Sequence, residues 1–431
     1  MFSTLANVWK VQELRKKMLY VLTILFIYRI GANVPLPGLD IGLWYLFRSD
    51  LTGQTLFATI AGGGFGTIFA MGIGPYITAS IIMQLLTVAV PKLEQYKKEG
   101  QEGRKKIEKI TRYLAVAMAF FQAIGIVFSL NNIPLLGGGS LFLYPTILTY
   151  IIAVAALVAG TIFVMWLGEL ITEKGMGNGI SFMIFANIIS QAPAGLMELV
   201  GLAEISLADG NIFILVAMGF LVILFIALII FAVLVQGGER RIPVQNSKKM
   251  VGATGSSSGA NSSYIPLKVN IAGVMSIIFA ISLLQFPSLI STVVTGNETL
   301  NTIVNHLEIH MPIGAILYMV LIVAFTFFYT SFAINSIEMA ENMKKNGGFI
   351  PGIRPGRPTS EYISRTVHRL SWIGACFYVT LAMAPVVFQW ISTIRVGFGG
   401  TTLLIMVGVA LELAKQMESQ LLMRHYKGFL D

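Results

Sequence analysis

Ionisable side chains are scarce in this sequence: of 431 residues, 12% are charged and four are histidine. Sites that work on protons, metals or phosphates are built from such groups, so there is little here to build one from. Cys376 is the only cysteine, which excludes an intramolecular disulfide and a multi-cysteine metal centre. His306 and His310 stand four apart around Glu308 with no third ligand in sequence reach, too little for a metal site. GGGFG (62–66) and GMGNG (175–179) look like phosphate loops, but neither is followed by a Lys-Ser/Thr pair and no strand precedes either. A helix break and a helix cap are the plainer readings. We expect no cofactor and no catalytic group, so the chain does not read as an enzyme. Energy for any directed process must come from a partner or a gradient.

What the sequence has in abundance is hydrocarbon. Hydrophobic residues make up 55% of it, and the mean hydropathy is +0.76. A membrane-crossing helix needs about 20 mostly apolar residues. Ten runs qualify, centred near Leu25, Ser80, Gln122, Ala156, Ile188, Leu224, Ile281, Leu321, Leu381 and Gly408. The opening MFSTLANVWKVQELRKKM carries no small-residue cleavage site after an apolar core, so no removable signal peptide is expected.

Cations sort to one side. With ten spans and a cytoplasmic N-terminus, 27 of the 30 Lys and Arg residues fall in cytoplasmic segments, eight of them in 91–112, five in 236–268 and six in 334–371. The outer loops carry Asp40, Asp50, Glu198, Glu204, Asp209, Glu298 and Glu308. This obeys the positive-inside rule and places both termini in the cytoplasm of a cell membrane. Attraction to anionic lipid accounts for part of the +9 net charge, though not for its collection in three long loops. Five spans per half make the halves inverted, 1–205 and 206–431, joined by an outer loop near Glu198 to Asn211 that would act as a hinge. The expected fold is an all-α integral membrane protein of ten transmembrane helices.

Inverted halves suit a solute transporter. Such a protein keeps ionisable groups at mid-membrane, where they are expensive. Here Arg29 lies in the first span, and Glu169, Glu412 and Lys415 fall near cytoplasmic ends. The midplane holds Ile73, Ile77, Ile184, Ile188, Ile278 and Ile405, with the amides Gln84, Gln122, Asn187 and Gln285 nearby. No proton relay is visible. The second span also opens on four glycines in five residues and carries Pro75, so a straight helix from Phe57 to Leu86 is not expected. A break near Gly62 to Gly66 either permits close helix packing or marks a half-inserted segment lining a cavity.

The three basic loops exceed the 2–8 residues usual between bundled helices. In the third, KKNGGFIPGIRPGRPT (344–359), Pro351, Pro355 and Pro358 stiffen the chain around Arg354 and Arg357. A stiff loop presents guanidinium groups at low entropy cost, which suits carboxylates or phosphates of a large partner, an RNA backbone included.

Seven stretches, in order, carry a resemblance: FIYRIGANVPLPG (26–38), MGIGPYITASIIMQLL (71–86), KKEGQEGRKKIEKITRY (97–113), WLGELITEKGMGNGIS (166–181), IPLKVNIAGV (265–274), ENMKKNGGFIPGIRPG (341–356) and FGGTTLLI (398–405). Together they resemble the bacterial SecY family of protein-conducting channels nearly end to end. The resemblance implies two inverted halves around an hourglass pore that opens across the membrane for secreted chains and sideways, by a lateral gate, for membrane segments. By motif position the six isoleucines match the family's pore ring. The segment of about 55–66, namely Thr55, Leu56, Phe57, Ala58, Thr59, Ile60, Ala61, Gly62, Gly63 and Gly64 with the two residues after it, matches its plug. The gate would lie between the second and third spans and the seventh and eighth, with Gln122 a polar contact in it.

The resemblance also implies docking of the motor ATPase SecA or the ribosome on Arg354 and Arg357 in one loop and on Arg240, Arg241, Lys248 and Lys249 in another. Separate SecE and SecG subunits, signal peptides, nascent or precursor polypeptides and membrane lipid complete the implied partners. The chain departs from the family in two places: the uncharged GATGSSSGANSSY after Lys249, where basic residues are common, and Ser276, where proline is common. Two rivals stand beside the channel reading, a small-solute transporter and a docking scaffold without a pore.

Overall fold

The computed structural model describes residue 9 and residues 11–44, 64, 66–131, 141–175, 177–208, 212–246, 263–293, 298–392 and 400–427. Its elements in chain order are α1 (Gln12–Gly31), α2 (Gly74–Ala89), α3 (Pro91–Lys98), α4 (Gln101–Asn131), α5 (Ile147–Lys174), α6 (Gly179–Ala208), α7 (Ile212–Gly237), β1 (Glu239–Asn246), β2 (Ser263–Lys268), α8 (Met275–Val293), α9 (Glu298–Leu307), α10 (Pro312–Ala333), α11 (Ser336–Lys345), β3 (Gly348–Phe349), α12 (Arg357–Ser392) and α13 (Gly400–Lys427). Setting aside the short α3, α9 and α11, ten long helices remain, one over each apolar run. Five of them reach membrane-crossing length and apolarity unaided: α4, α5, α7, α10 continued by α11, and α12. The bent pair α2–α3 makes a sixth. Of the other long helices, α6, α8 and α13 carry side chains of the central apolar cluster.

The bundle is apolar outside as well as inside. On α7, Phe213, Val216, Phe220, Ile223, Ile226, Ile230 and Leu234 are all exposed, as are Ile147, Leu148 and Ile151 on α5. A water-soluble protein does not present such a surface, whereas lipid tails cover it at no cost.

Within the first half α2 packs on α4, α4 on α5, and α5 on α6 and α1; within the second, α8 packs on α10, α10 on α12, and α13 on α7 and α12. The halves meet along two seams. On one, α4 and α2 touch α8; on the other, α6 touches α7 and α13. The loop expected between Glu198 and Asn211 is helix as far as Ala208, because α6 continues through Pro193. A proline in a membrane helix is tolerated where neighbouring groups satisfy the freed carbonyl. The expected boundary at 205/206 thus falls within the last turn of α6.

The irregular second span starts late. Residues 66–73 form a chain of turns, and the helix begins at Gly74 with Pro75 in its first turn, where proline lacks no needed N–H. Gly66 (φ +70°) and Gly72 (φ +47°) adopt backbone that other residues resist. A Cβ on Gly66 would lie 2.7 Å from Trp44, which is itself 1% exposed. The turns are fastened by Leu36 N–H to the Gly66 carbonyl at 2.8 Å and Ile68 N–H to the Val34 carbonyl at 3.1 Å. Irregular backbone at this depth is covered by protein, as it must be. At its far end α2 bends by 104° into α3, at Pro91.

The long basic segments carry regular structure in their described residues. Residues 91–112 are α3 and the first turns of α4, and 334–371 contain α11, β3 and the start of α12. Residues 239–246 and 263–268 form the antiparallel pair β1–β2, in register Arg240 with Leu267 and Ile242 with Ile265. β3 joins the other edge of β1, giving a three-stranded sheet in the order β2-β1-β3. Pro243 and Pro266 sit within its strands and hide the sheet from a pattern reading of the sequence.

Candidate functional site

The six isoleucines come from four helices and meet in one apolar cluster. Ile73 and Ile77 lie at the start of α2, Ile184 and Ile188 on α6, Ile278 on α8 and Ile405 on α13. Their exposures run from 0% at Ile188 and Ile405 to 8% at Ile77. All four of these helices border the seams between the halves, so the cluster sits where the halves meet. Ile77, Ile184, Ile278 and Ile405 also form part of the wall of a cavity of about 770 Å³. That cavity is polar at its other end, with Asn178, Gln236, Lys268, Asn270 and Lys415. It is a funnel, wet at the mouth and apolar at the bottom.

The bottom is held by contacts of about 0.1–0.2 kcal/mol per atom pair, and no hydrogen bond or ion pair has to break for the side chains to part. A dry constriction of this kind stops ions by dewetting and needs no specific ligand. Ionisable groups stay out of it: Arg29 is exposed in the last turn of α1, Arg112 pairs with Glu169 at 2.6 Å between α4 and α5, and Lys415 lies 3.8 Å from Glu239.

The expected plug, Thr55 to Gly63, lies outside the described residues, as does residue 65. Gly64 is described, and its carbonyl accepts hydrogen bonds from Thr67 N–H at 3.1 Å and Thr67 Oγ1 at 2.7 Å. The segment therefore ends anchored beside the turns that open α2. Gln122 is buried at 7% exposure on α4, the helix that packs against α8, and its Nε2 has no partner among the described residues.

Arg354 and Arg357 are exposed at a tip pinned by its own core. Ile350, 4% exposed, packs with Ile242 and Leu267 of the sheet and with Ile363, Val367 and Leu370 of α12. Gly352 (φ +81°) and Gly356 (φ +105°) turn the chain on either side of Arg354. The Arg354 carbonyl accepts from Thr359 Oγ1 at 2.9 Å. Arg357 lies 3.6 Å from Glu361, one turn on, both well exposed. Arg240 and Arg241 are exposed on β1, and the Arg241 guanidinium stands 4.8 Å over the Tyr264 ring. Lys248 and Lys249 lie outside the described residues. The tip follows β3, which pairs with the end of β1 opposite Arg240 and Arg241, so one small sheet supports both arginine pairs as a basic platform. Sequence reasoning placed them in two separate loops; the pairing of Gln245 with Phe349 that joins them is non-local and has no local signal.

A two-halved membrane bundle with an apolar constriction below a polar funnel is the architecture of a channel. Comparison with known proteins says which channel. The SecY family's sequence model matches residues 67–414. The chain is 44% identical to the protein translocase subunit SecY of Streptomyces galbus and 41% identical to that of Halalkalibacterium halodurans, in each case over 100% of both chains. Among solved structures it resembles one described as showing that the plug domain of SecY stabilises the closed state of the translocation channel, with a TM-score of 0.65 and 21% identity over 93% of this chain and 91% of that one. It also resembles Sec61 in the canine ribosome-channel complex, with a TM-score of 0.61 and 19% identity over the same shares. The chain belongs to the SecY family, channel subunits of the protein translocase. Its fold is accordingly ten transmembrane helices in two inverted halves around an hourglass pore.

Proposed function

We propose that the chain conducts unfolded secretory polypeptides across a bacterial plasma membrane, with both termini cytoplasmic, and releases hydrophobic segments sideways into lipid. The observation that carries this reading is the apolar closure at the foot of a polar funnel, built by α2, α6, α8 and α13 from both halves. Ile73, Ile77, Ile184, Ile188, Ile278 and Ile405 act as a ring that parts around a passing chain and closes behind it. The segment from Thr55 to about 66 serves as plug. The seam where α4 and α2 meet α8 serves as lateral gate, with Gln122 in it. A signal peptide's apolar core, entering that seam, shifts the closed state toward the open one by its differential affinity for the latter.

The basic platform, with Arg354 foremost and Arg357, Arg240 and Arg241 beside it, docks the motor ATPase SecA or the ribosome; Lys248 and Lys249 extend it. Separate SecE and SecG chains complete the assembly. ATP hydrolysis belongs to the motor, and this chain holds no catalytic site. The ribosome-bound relative supports the placing of a large cytoplasmic partner on this face.

The test is transport of an unfolded precursor into vesicles holding the chain with its partner subunits. The expected result is protected precursor that depends on the motor and on ATP. Saturable, ion-dependent uptake of a small solute in its place would favour a transporter. Transport indifferent to polar substitution of the isoleucines would favour a scaffold.

A further inference from the structure

The funnel wall holds more amides than its own structure uses. Asn178 spends its Oδ1 on Ile180 N–H at 3.0 Å, near the start of α6. Asn270 spends its Oδ1 on Gly273 N–H at 2.8 Å, in the turn before α8. Gln84 on α2 and Gln236 on α7 are different. Gln84 donates from Nε2 to Ser80 Oγ at 3.4 Å, and its Oε1 has no partner among the described residues. Gln236 is 9% exposed, and its Nε2 has no partner there either. A buried polar group left unpaired costs about 1–3 kcal/mol. Local structure does not explain why these two bear that cost.

Their positions do. The two glutamines lie on opposite halves and line the same funnel, above Ile77, Ile184, Ile278 and Ile405. Gln236 lies over Gly408 of α13, where an added Cβ would approach its Nε2 to 3.4 Å. The terminal amide torsion of glutamine is soft, so each can turn to offer a donor or an acceptor. Both border the space that a translocating chain would occupy on the channel reading. A chain in transit has variable side chains but an invariant backbone, with one N–H and one C=O at almost every residue. An unfolded chain approaching the apolar ring loses water from those groups before it can make secondary structure.

We infer that Gln84 and Gln236 form a two-sided subsite for the peptide backbone of the translocating chain, gripping it independently of sequence just above the ring. The inference rests on the channel reading and adds a ligand chemistry to it. The pairing holds an engaged chain in the funnel between motor strokes.

A precursor is stalled midway in reconstituted vesicles, the motor's ATP is removed, and the rate at which the chain slips back is measured for an Ala-rich and a Ser-rich segment. Gln84→Leu with Gln236→Leu should speed slippage by about thirtyfold, the effect of losing two ordinary hydrogen bonds, and by the same factor for both segments. A precursor whose segment carries backbone esters in place of amides, lacking N–H donors, should slip faster through the unaltered channel; this arm does not depend on the variant folding. Unchanged slippage in both arms would mean that water alone satisfies the two amides, and would overturn the inference. So would a change that follows the segment's side chains. A photo-crosslinker at Ile184 is read in the same vesicles. Attachment there with unchanged slippage removes the subsite only, whereas failure of the stalled chain to attach removes the conduit and the subsite with it.

Discussion

At the scale of the residue, the proposed roles divide by how much chemistry each side chain needs. The ring isoleucines need only be apolar and convergent, and the fold makes them so: all six are at most 8% exposed and share one cluster. A polar group there would wet the constriction. Ile184→Asn should therefore raise ion leakage of resting vesicles severalfold, measured as dissipation of an imposed potential, while motor docking stays normal. Arg354 needs charge and a fixed place. Its tip is held by Ile350 and turned by Gly352 and Gly356, whereas Arg357 already has Glu361 beside it. Arg354→Glu should weaken motor-driven transport by about tenfold or more, as loss of a charge-assisted bond and gain of a like charge would, at normal expression and unchanged thermal stability. Full motor-driven transport by that variant would remove Arg354 from the docking surface. These residues stood out in the sequence because they lie in motifs, and the fold places the isoleucines in one cluster and Arg354 at an exposed tip. The unpaired amides of Gln84 and Gln236 did not stand out, since a partner's absence is a property of three-dimensional surroundings.

At the scale of the element, hydrophobic runs revealed the ten long helices because lipid tolerates few polar interruptions. The connections were read less well. Charge and glycine in 91–112, 236–268 and 334–371 suggested solvated loops, yet their described residues fold as helix extensions and a sheet whose small core, Ile242, Leu267, Ile350 and Ile363, is split among segments far apart in sequence. Short apolar residues among many polar ones give no periodic signal until they are brought together. Close helix packing was equally hidden. At Gly160 on α5, an added Cβ would lie 2.3 Å from the carbonyl oxygen of Ile68, in the turns that precede α2. Backbone cannot yield as a side-chain end can, so Gly160→Ala should cost about 1–3 kcal/mol and lower the unfolding temperature in detergent. An unchanged unfolding temperature would contradict that packing. The seams differ in role on our reading. After Cys376, a free and exposed thiol, is changed to Ser, a disulfide between position 122 on α4 and the facing turn of α8 should block transport. One between α6 and α7 should not. Equal transport with both seams locked would contradict the assignment of the gate.

At the scale of the whole molecule, one arrangement explains the composition. Two inverted halves meet along two seams, and side chains from both close the space between them. The outside is apolar for lipid, the closure is apolar for sealing, and the funnel is polar but nearly uncharged for a chain of any sequence. Cations collect at one end, the face we propose for a large partner. The scarcity of ionisable groups is what such a conduit requires, since a fixed charge at the closure would select among passing side chains and hold water in place. The central claim is that the polypeptide path runs through the isoleucine cluster. The most direct test puts a photo-crosslinker at Ile184 and stalls a secretory chain midway in reconstituted vesicles. Attachment that depends on SecA or a ribosome is the predicted result; no attachment at Ile184, alongside good attachment of the motor or ribosome at Arg354, would leave the docking surface and contradict the pore.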